Sequence, residues 1–213
     1  MKTKVLKSNK EKVREMTILA MFIAIIAVLG LVPNGVGASL GFIRIAPNIE
    51  ATIIHIPVLI GAALLGRKMG FYLGTAFGII SLIAAFIYSS PLFVYPWVSV
   101  LPRMIFGFII YDVVQFFLKI FKVKYVALIV SFFLLSVIHT LLVLPLLWTS
   151  FTMVLGYNSL AESFIPYLTA LVASFVPISA TIEAVLAAVI GGTIYMRLTM
   201  NMNRDDESEE MSN

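Results

Sequence analysis

Apolar residues along this chain fall in six long runs, covering about residues 17–31, 49–66, 69–88, 98–121, 125–150 and 166–198. Short polar or glycine- and proline-bearing segments separate them. About 20 apolar residues in a row is the length at which a helix crosses a hydrocarbon core about 30 Å thick, so the pattern predicts six membrane-spanning helices. The second run is short and carries Pro57 in its interior. The sixth is too long for one span, or else breaks near Pro177. The first run has the place of a secretory leader, but five more runs follow it and no small-residue cleavage motif closes it.

Lysine and arginine are unevenly placed between the runs. The first 16 residues hold Lys2, Lys4, Lys7, Lys10, Lys12 and Arg14, and two later turns hold Arg67 with Lys68, and Lys119, Lys122 and Lys124. The opposite side has only Arg44 and, near the start of the fourth run, Arg103. Basic residues concentrate on the cytoplasmic side, so both termini are expected there and the number of crossings is even. The expected fold is an all-α integral membrane protein, a six-transmembrane-helix bundle over residues 17–198. A basic cytoplasmic lead (1–16) precedes it and an acidic, disordered cytoplasmic tail (199–213) follows. Composition agrees: 61% of residues are hydrophobic and 12% charged, against about 25% charged in a soluble domain. The net charge of +4 is accounted for by orientation in the membrane, which leaves no case for nucleic-acid binding.

The same inventory narrows the chemistry. With no cysteine there are no disulfides and no thiolate nucleophiles or ligands. His55 and His139 fall in separate runs and make no adequate metal set. Residues 61–68, GAALLGRK, approach a phosphate-binding loop, but Arg67 stands where lysine is required and no Ser or Thr follows. No nucleophile and base can be assembled, so the chain reads as neither an enzyme nor an ATP binder.

Polar residues at membrane depth usually face a protein interior or a wet cavity. Glu50, His55 and Arg103 lie toward the outer side, where they can converge with Arg44, Asn48 and the aromatics Tyr95, Trp97 and Trp148. That set suits a small amphipathic solute bearing a carboxylate; the alternative is that the aromatics anchor in the interface and Arg103 reaches toward headgroups. The outer segments 31–48, 88–97 and 151–165 are rich in glycine and proline, suited to shaping an outward-opening site. Asp112 and Glu183 fall deeper or nearer the cytoplasm, as hydrogen-bond partners or as part of a subunit contact. Ala20, Ala24 and Ala27 share a flat face of the first helix, open to close packing by another helix. Gly70, Gly74 and Gly78 form a second small-residue face, expected to pack inside the bundle.

Residues 47–83, PNIEATIIHIPVLIGAALLGRKMGFYLGTAFGIISLI, and 98–109, VSVLPRMIFGFI, resemble the substrate-binding S component of energy-coupling-factor (ECF) vitamin transporters. The likeness extends over about residues 15–198. It implies a chain that binds a vitamin near the extracellular side and docks on a transmembrane coupling protein with two cytosolic ATPase subunits. ATP would be used by those partners, with no cofactor in this chain. Ala20 and Ala24, with Ala27 extending their face, would make the docking contact, and toppling in the membrane would carry substrate inward. The stretch Asn48-Ile-Glu50-Ala-Thr52-x-x-His55 and the pair Pro102-Arg103 are most similar to the pantothenate branch. Riboflavin, thiamine or a hydroxymethylpyrimidine is the alternative within the family. A self-sufficient secondary transporter using Asp112, His139 and Glu183 is the alternative outside it.

Overall fold

The computed structural model describes residues 9–35, 37–46, 49–174 and 176–212. Its elements are α1 (Asn9–Leu31), β1 (Phe42–Ala46), β2 (Ile49–Thr52), α2 (His55–Leu65), α3 (Arg67–Ile87), α4 (Pro96–Ser99), α5 (Leu101–Ile120), α6 (Lys124–Val154), α7 (Leu160–Ala173), α8 (Val176–Leu186) and α9 (Gly192–Ser212). A 3-10 turn at Pro91–Phe93 precedes α4, and a π-helical turn at Ala187–Gly191 joins α8 to α9. The protein is a bundle of membrane-length helices. Among the described residues five are long and apolar enough to cross: Asn9–Leu31, Arg67–Ile87, Pro96–Ile120, Lys124–Val154 and Val176–Met202.

Six crossings are expected from the sequence, and α2 makes the difference. The run from residue 49 begins as a strand, leaving an 11-residue helix about 16 Å long, roughly half the hydrocarbon core. Nine of those eleven residues are buried, so α2 is a central strut. The β1–β2 hairpin departs from an all-helical bundle, as does an isolated antiparallel bridge between Pro33 and Ser39. The hairpin is antiparallel, with Phe42 opposite Thr52 and Arg44 opposite Glu50, and bulges between Arg44 and Ala46. The Gly41 N–H donates to Leu29 O at 2.7 Å, and the Ile53 N–H to Gly41 O at 2.9 Å, tying the hairpin to the end of α1.

α1 starts at Asn9 within the basic lead, and α9 runs to Ser212 where a disordered tail is expected beyond residue 198. No glycine or proline interrupts either segment. The expected sixth helix is α7, α8 and α9 in series. It begins at Leu160, ahead of Pro166, because the Ser159 Oγ accepts from the Glu162 N–H at 3.2 Å while Glu162 Oε2 accepts from the Asn158 N–H at 3.0 Å. This is close to a capping box. The segment stops at Ala173 and restarts at Val176, with Pro177 in the first turn of α8, where a missing N–H costs nothing.

The tightest joint lies between α3 and α5. Gly70, Gly74 and Gly78 all face α5: a Cβ at Gly74 would strike Arg103 O, one at Gly70 would strike Gly107 O, and one at Gly78 would lie 2.7 Å from Val100 Cα. The partners fall along α5 in reverse order, so the two helices run antiparallel with backbones in contact. The GxxxGxxxG face therefore packs within the bundle, as the sequence predicts. Gly74→Ala is expected to cost about 1–3 kcal/mol through overpacking against fixed backbone. Thermal unfolding in detergent should show a clear drop for Gly74→Ala and none for the exposed control Ile83→Ala; equal midpoints would refute the joint.

Candidate substrate site

Pro102 has no N–H to offer Val98 O, and α4 gives way to α5 at Val100. The Arg103 side chain folds back onto the freed carbonyls: its Nη1 donates to Val98 O at 3.1 Å and Ser99 O at 2.8 Å. Its Cζ lies 5.0 Å from the centre of the Phe77 ring and 5.9 Å from that of Phe93. The residue is 7% exposed. Among the described residues no carboxylate pairs with it, and Nε has no hydrogen-bond partner. A buried guanidinium held only by carbonyls and ring faces keeps most of its capacity for an anion.

Arg103 lines a cavity of about 460 Å³, within the range of small-molecule sites. The end of α1, the hairpin, α3, the turn at Phe93, α6 and the start of α8 enclose it. Ile54, Ala84, Val143, Leu144 and Leu147 supply apolar wall, and Ser81, Thr140 and Ser179 supply hydroxyl groups. His139 faces in from α6, its ring 4.9 Å from that of Phe106 and 5.7 Å from that of Phe77. Its Nε2 has no partner among the described residues. Glu183 faces in from α8 and accepts the Thr52 N–H at 2.8 Å, fastening the hairpin beside the cavity. The site thus offers a cation, a carboxylate, an imidazole and hydroxyls around an apolar body, which fits an amphipathic anion.

The residues expected at the site separate into groups. Arg103 is in the cavity wall. His55 lies behind it, fully buried, with Nε2 3.2 Å from Ser136 Oγ and its ring stacked 5.8 Å from that of His139. The Arg44 and Glu50 backbones pair in the hairpin; their side chains, and all of Asn48, lie outside the described residues. Three aromatics are not part of the lining. Tyr95 and Trp97 stack at 4.7 Å, and Trp97, 39% exposed, donates Nε1–H to Thr149 Oγ1 at 3.2 Å. Trp148 donates to Ser163 Oγ at 3.0 Å and packs on Phe164, joining α6 to α7. These are the positions of an interfacial anchor pair and an interhelical tie.

Glu183, expected deeper, is in the cavity because the break after Ala173 sets α8 beside the hairpin. Asp112 is elsewhere, on α5, in a two-point pair with Arg67 (Nε to Oδ2 2.8 Å, Nη2 to Oδ1 2.6 Å). On α1, Ala20 and Ala24 are exposed on the same face as Val13, Met16 and Val28. Ala27 sits at the edge of that face, half-buried against the core.

The model of the family described as "ECF transporter, substrate-specific component" matches residues 14–196. The chain belongs to this family. It is accordingly a membrane-embedded protein of the ECF substrate-specific-component type, and among the described residues no cluster could hold a metal ion. The pantothenic acid transporter PanT of Lactococcus lactis subsp. cremoris (strain MG1363) is 37% identical over 84 residues, 39% of this chain. The match spans 40% of that relative's own length.

The Glu183–Thr52 bond gives a direct test of how this S component holds its hairpin. Losing a hydrogen bond to a charged acceptor costs about 1.5–3 kcal/mol. Glu183→Ala should speed amide exchange over residues 49–54 by roughly tenfold or more, read by hydrogen–deuterium exchange, while Glu183→Gln, which keeps an acceptor, should change it less. Unchanged exchange in Glu183→Ala would remove Glu183 as the fastening.

Proposed function

We propose that this S component is the pantothenate-binding subunit of an ATP-driven ECF importer in the bacterial cell membrane. The observation that carries the reading is Arg103, buried at the wall of a cavity of about 460 Å³ and without a carboxylate partner among the described residues. Pantothenate has a carboxylate for that guanidinium, hydroxyls and an amide for Glu183, His139 and the serine and threonine hydroxyls, and a gem-dimethyl group for the apolar wall. The partial likeness to a pantothenic acid transporter supports the same substrate. On the sequence reading Arg44, Asn48 and Glu50 would add further substrate contacts, and His55 would brace His139 from behind.

The lysine- and arginine-rich end of the bundle, with Arg67, Lys68, Lys119, Lys122 and Lys124, would face the cytoplasm, and the cavity end would open outward. Both termini would then be cytoplasmic. Ala20 and Ala24 present the small, exposed face on which a transmembrane coupling protein would dock, with Ala27 at its edge. That protein would carry two cytosolic ATPase subunits, and the ATP would be theirs.

Isothermal titration of the full chain, purified in detergent and freed of copurified ligand, should give saturable one-to-one binding of pantothenate. Absence of binding in folded protein, with binding of riboflavin, thiamine or a hydroxymethylpyrimidine instead, would reject the substrate and keep the family. Ala20→Leu and Ala24→Leu should spare that binding and reduce recovery of the coupling protein in co-purification; full recovery would reject the docking face.

A further inference from the structure

A second concavity lies on the membrane-facing side of the α3–α5 joint, apart from the substrate cavity. It is a groove of about 690 Å³. Leu101, Ile105 and Phe108 form one stripe of α5 along it, and Phe71 of α3 faces them; all four are exposed. From Leu101 to Phe108 the stripe is seven residues, about 10 Å of helix, long enough to seat part of an acyl chain. Because the helices run antiparallel, the Phe108 end of the groove is also the start of α3, and Arg67 and Lys68 stand there.

The two cations at that mouth are not equivalent. Arg67 is held at both ends of its guanidinium by Asp112 and lies 5.2 Å over the Phe108 ring, so its charge is already matched. Lys68 is exposed and, among the described residues, in no ion pair. A single free positive charge at the headgroup level, above an apolar trough between two membrane helices, complements one ligand class. We propose that this groove is a binding site for an anionic phospholipid, with one acyl chain along Leu101, Ile105 and Phe108 and the phosphate on Lys68. A zwitterionic lipid fits less well, since its own cation sits next to the phosphate that Lys68 would hold.

The test is native mass spectrometry of the full chain, stripped of copurified lipid and titrated with phosphatidylglycerol or phosphatidylcholine of identical acyl chains. Phosphatidylglycerol should be retained about fivefold more than phosphatidylcholine, the discrimination one lysine near the headgroups supplies. Lys68→Gln, an exposed change that leaves the core untouched, should bring the two lipids level. Ile105→Trp, which fills the groove, should lower retention of both while vitamin binding continues. Equal retention of the two lipids by the unaltered protein, or a preference that survives Lys68→Gln, would overturn the proposal. So would exclusion of lipid from a photocrosslinker at position 105 by a transmembrane partner, which would make the groove a protein contact.

Discussion

Where α3 and α5 meet, backbone touches backbone, and that contact fixes the geometry of the site. No side chain separates Gly74 from Arg103 O, or Gly70 from Gly107 O, so α5 cannot slide or roll against α3 without a clash. Phe77 lies on α3 between Gly74 and Gly78, and the same joint therefore sets its ring beside the Arg103 guanidinium. Helix association in a membrane lacks the hydrophobic drive it has in water, and close approach through small residues replaces it. The glycine seam is thus both the main clamp of the bundle and the jig that positions its buried cation.

A charge at that depth is costly, and the local structure offsets the cost without cancelling the charge. Pro102 frees a carbonyl that Arg103 then takes, and two aromatic faces flank the guanidinium. Carbonyl and ring partners stabilise a cation but leave it able to accept an anion, unlike a salt bridge of the kind Arg67 makes with Asp112. The contrast separates the two ends of the bundle: the arginine at the cavity end is kept available, while the one at the basic end is consumed in joining α3 to α5. The β1–β2 hairpin, tied to α1 through Gly41 and to α8 through Glu183, closes the cavity beside that available charge. The exposed alanines of α1 lie outside this arrangement, on a surface apart from the cavity.

Features carried by periodicity and by proline were legible in the sequence. Glycines four apart on a membrane helix can only be a close-packing face, and the Pro102-Arg103 pair marks a helix start with an awkward cation. Ala20 and Ala24 share an exposed face of α1, and Ala27, about 20° round the helix from Ala20 toward the core side, lies half-buried at its edge. Features set by tertiary context were not legible. Residues 49–54 are as apolar as a helix, and only pairing with residues 42–46 makes four of them a strand. Glu183 reaches the cavity through the break after Ala173, which the sequence marks only by Pro177; the Ser159-x-x-Glu162 cap is the separate signal that α7 begins ahead of Pro166. Trp97 and Trp148 are the ambiguous case, since an interfacial anchor, an interhelical tie and a ligand wall all call for the same residue type.

The central claim is that Arg103 is held for a carboxylate. The most direct measurement is a double-mutant cycle by isothermal titration, comparing pantothenate with pantothenol, which replaces the carboxylate by a neutral alcohol, on the unaltered chain and on Arg103→Ala. A charged hydrogen bond here is worth about 1.5–3 kcal/mol, roughly ten- to a hundredfold in affinity. The unaltered protein should prefer pantothenate by that factor, and Arg103→Ala should lose most of the preference while binding pantothenol almost unchanged. A preference of the same size in both proteins, or none in either, would contradict the account.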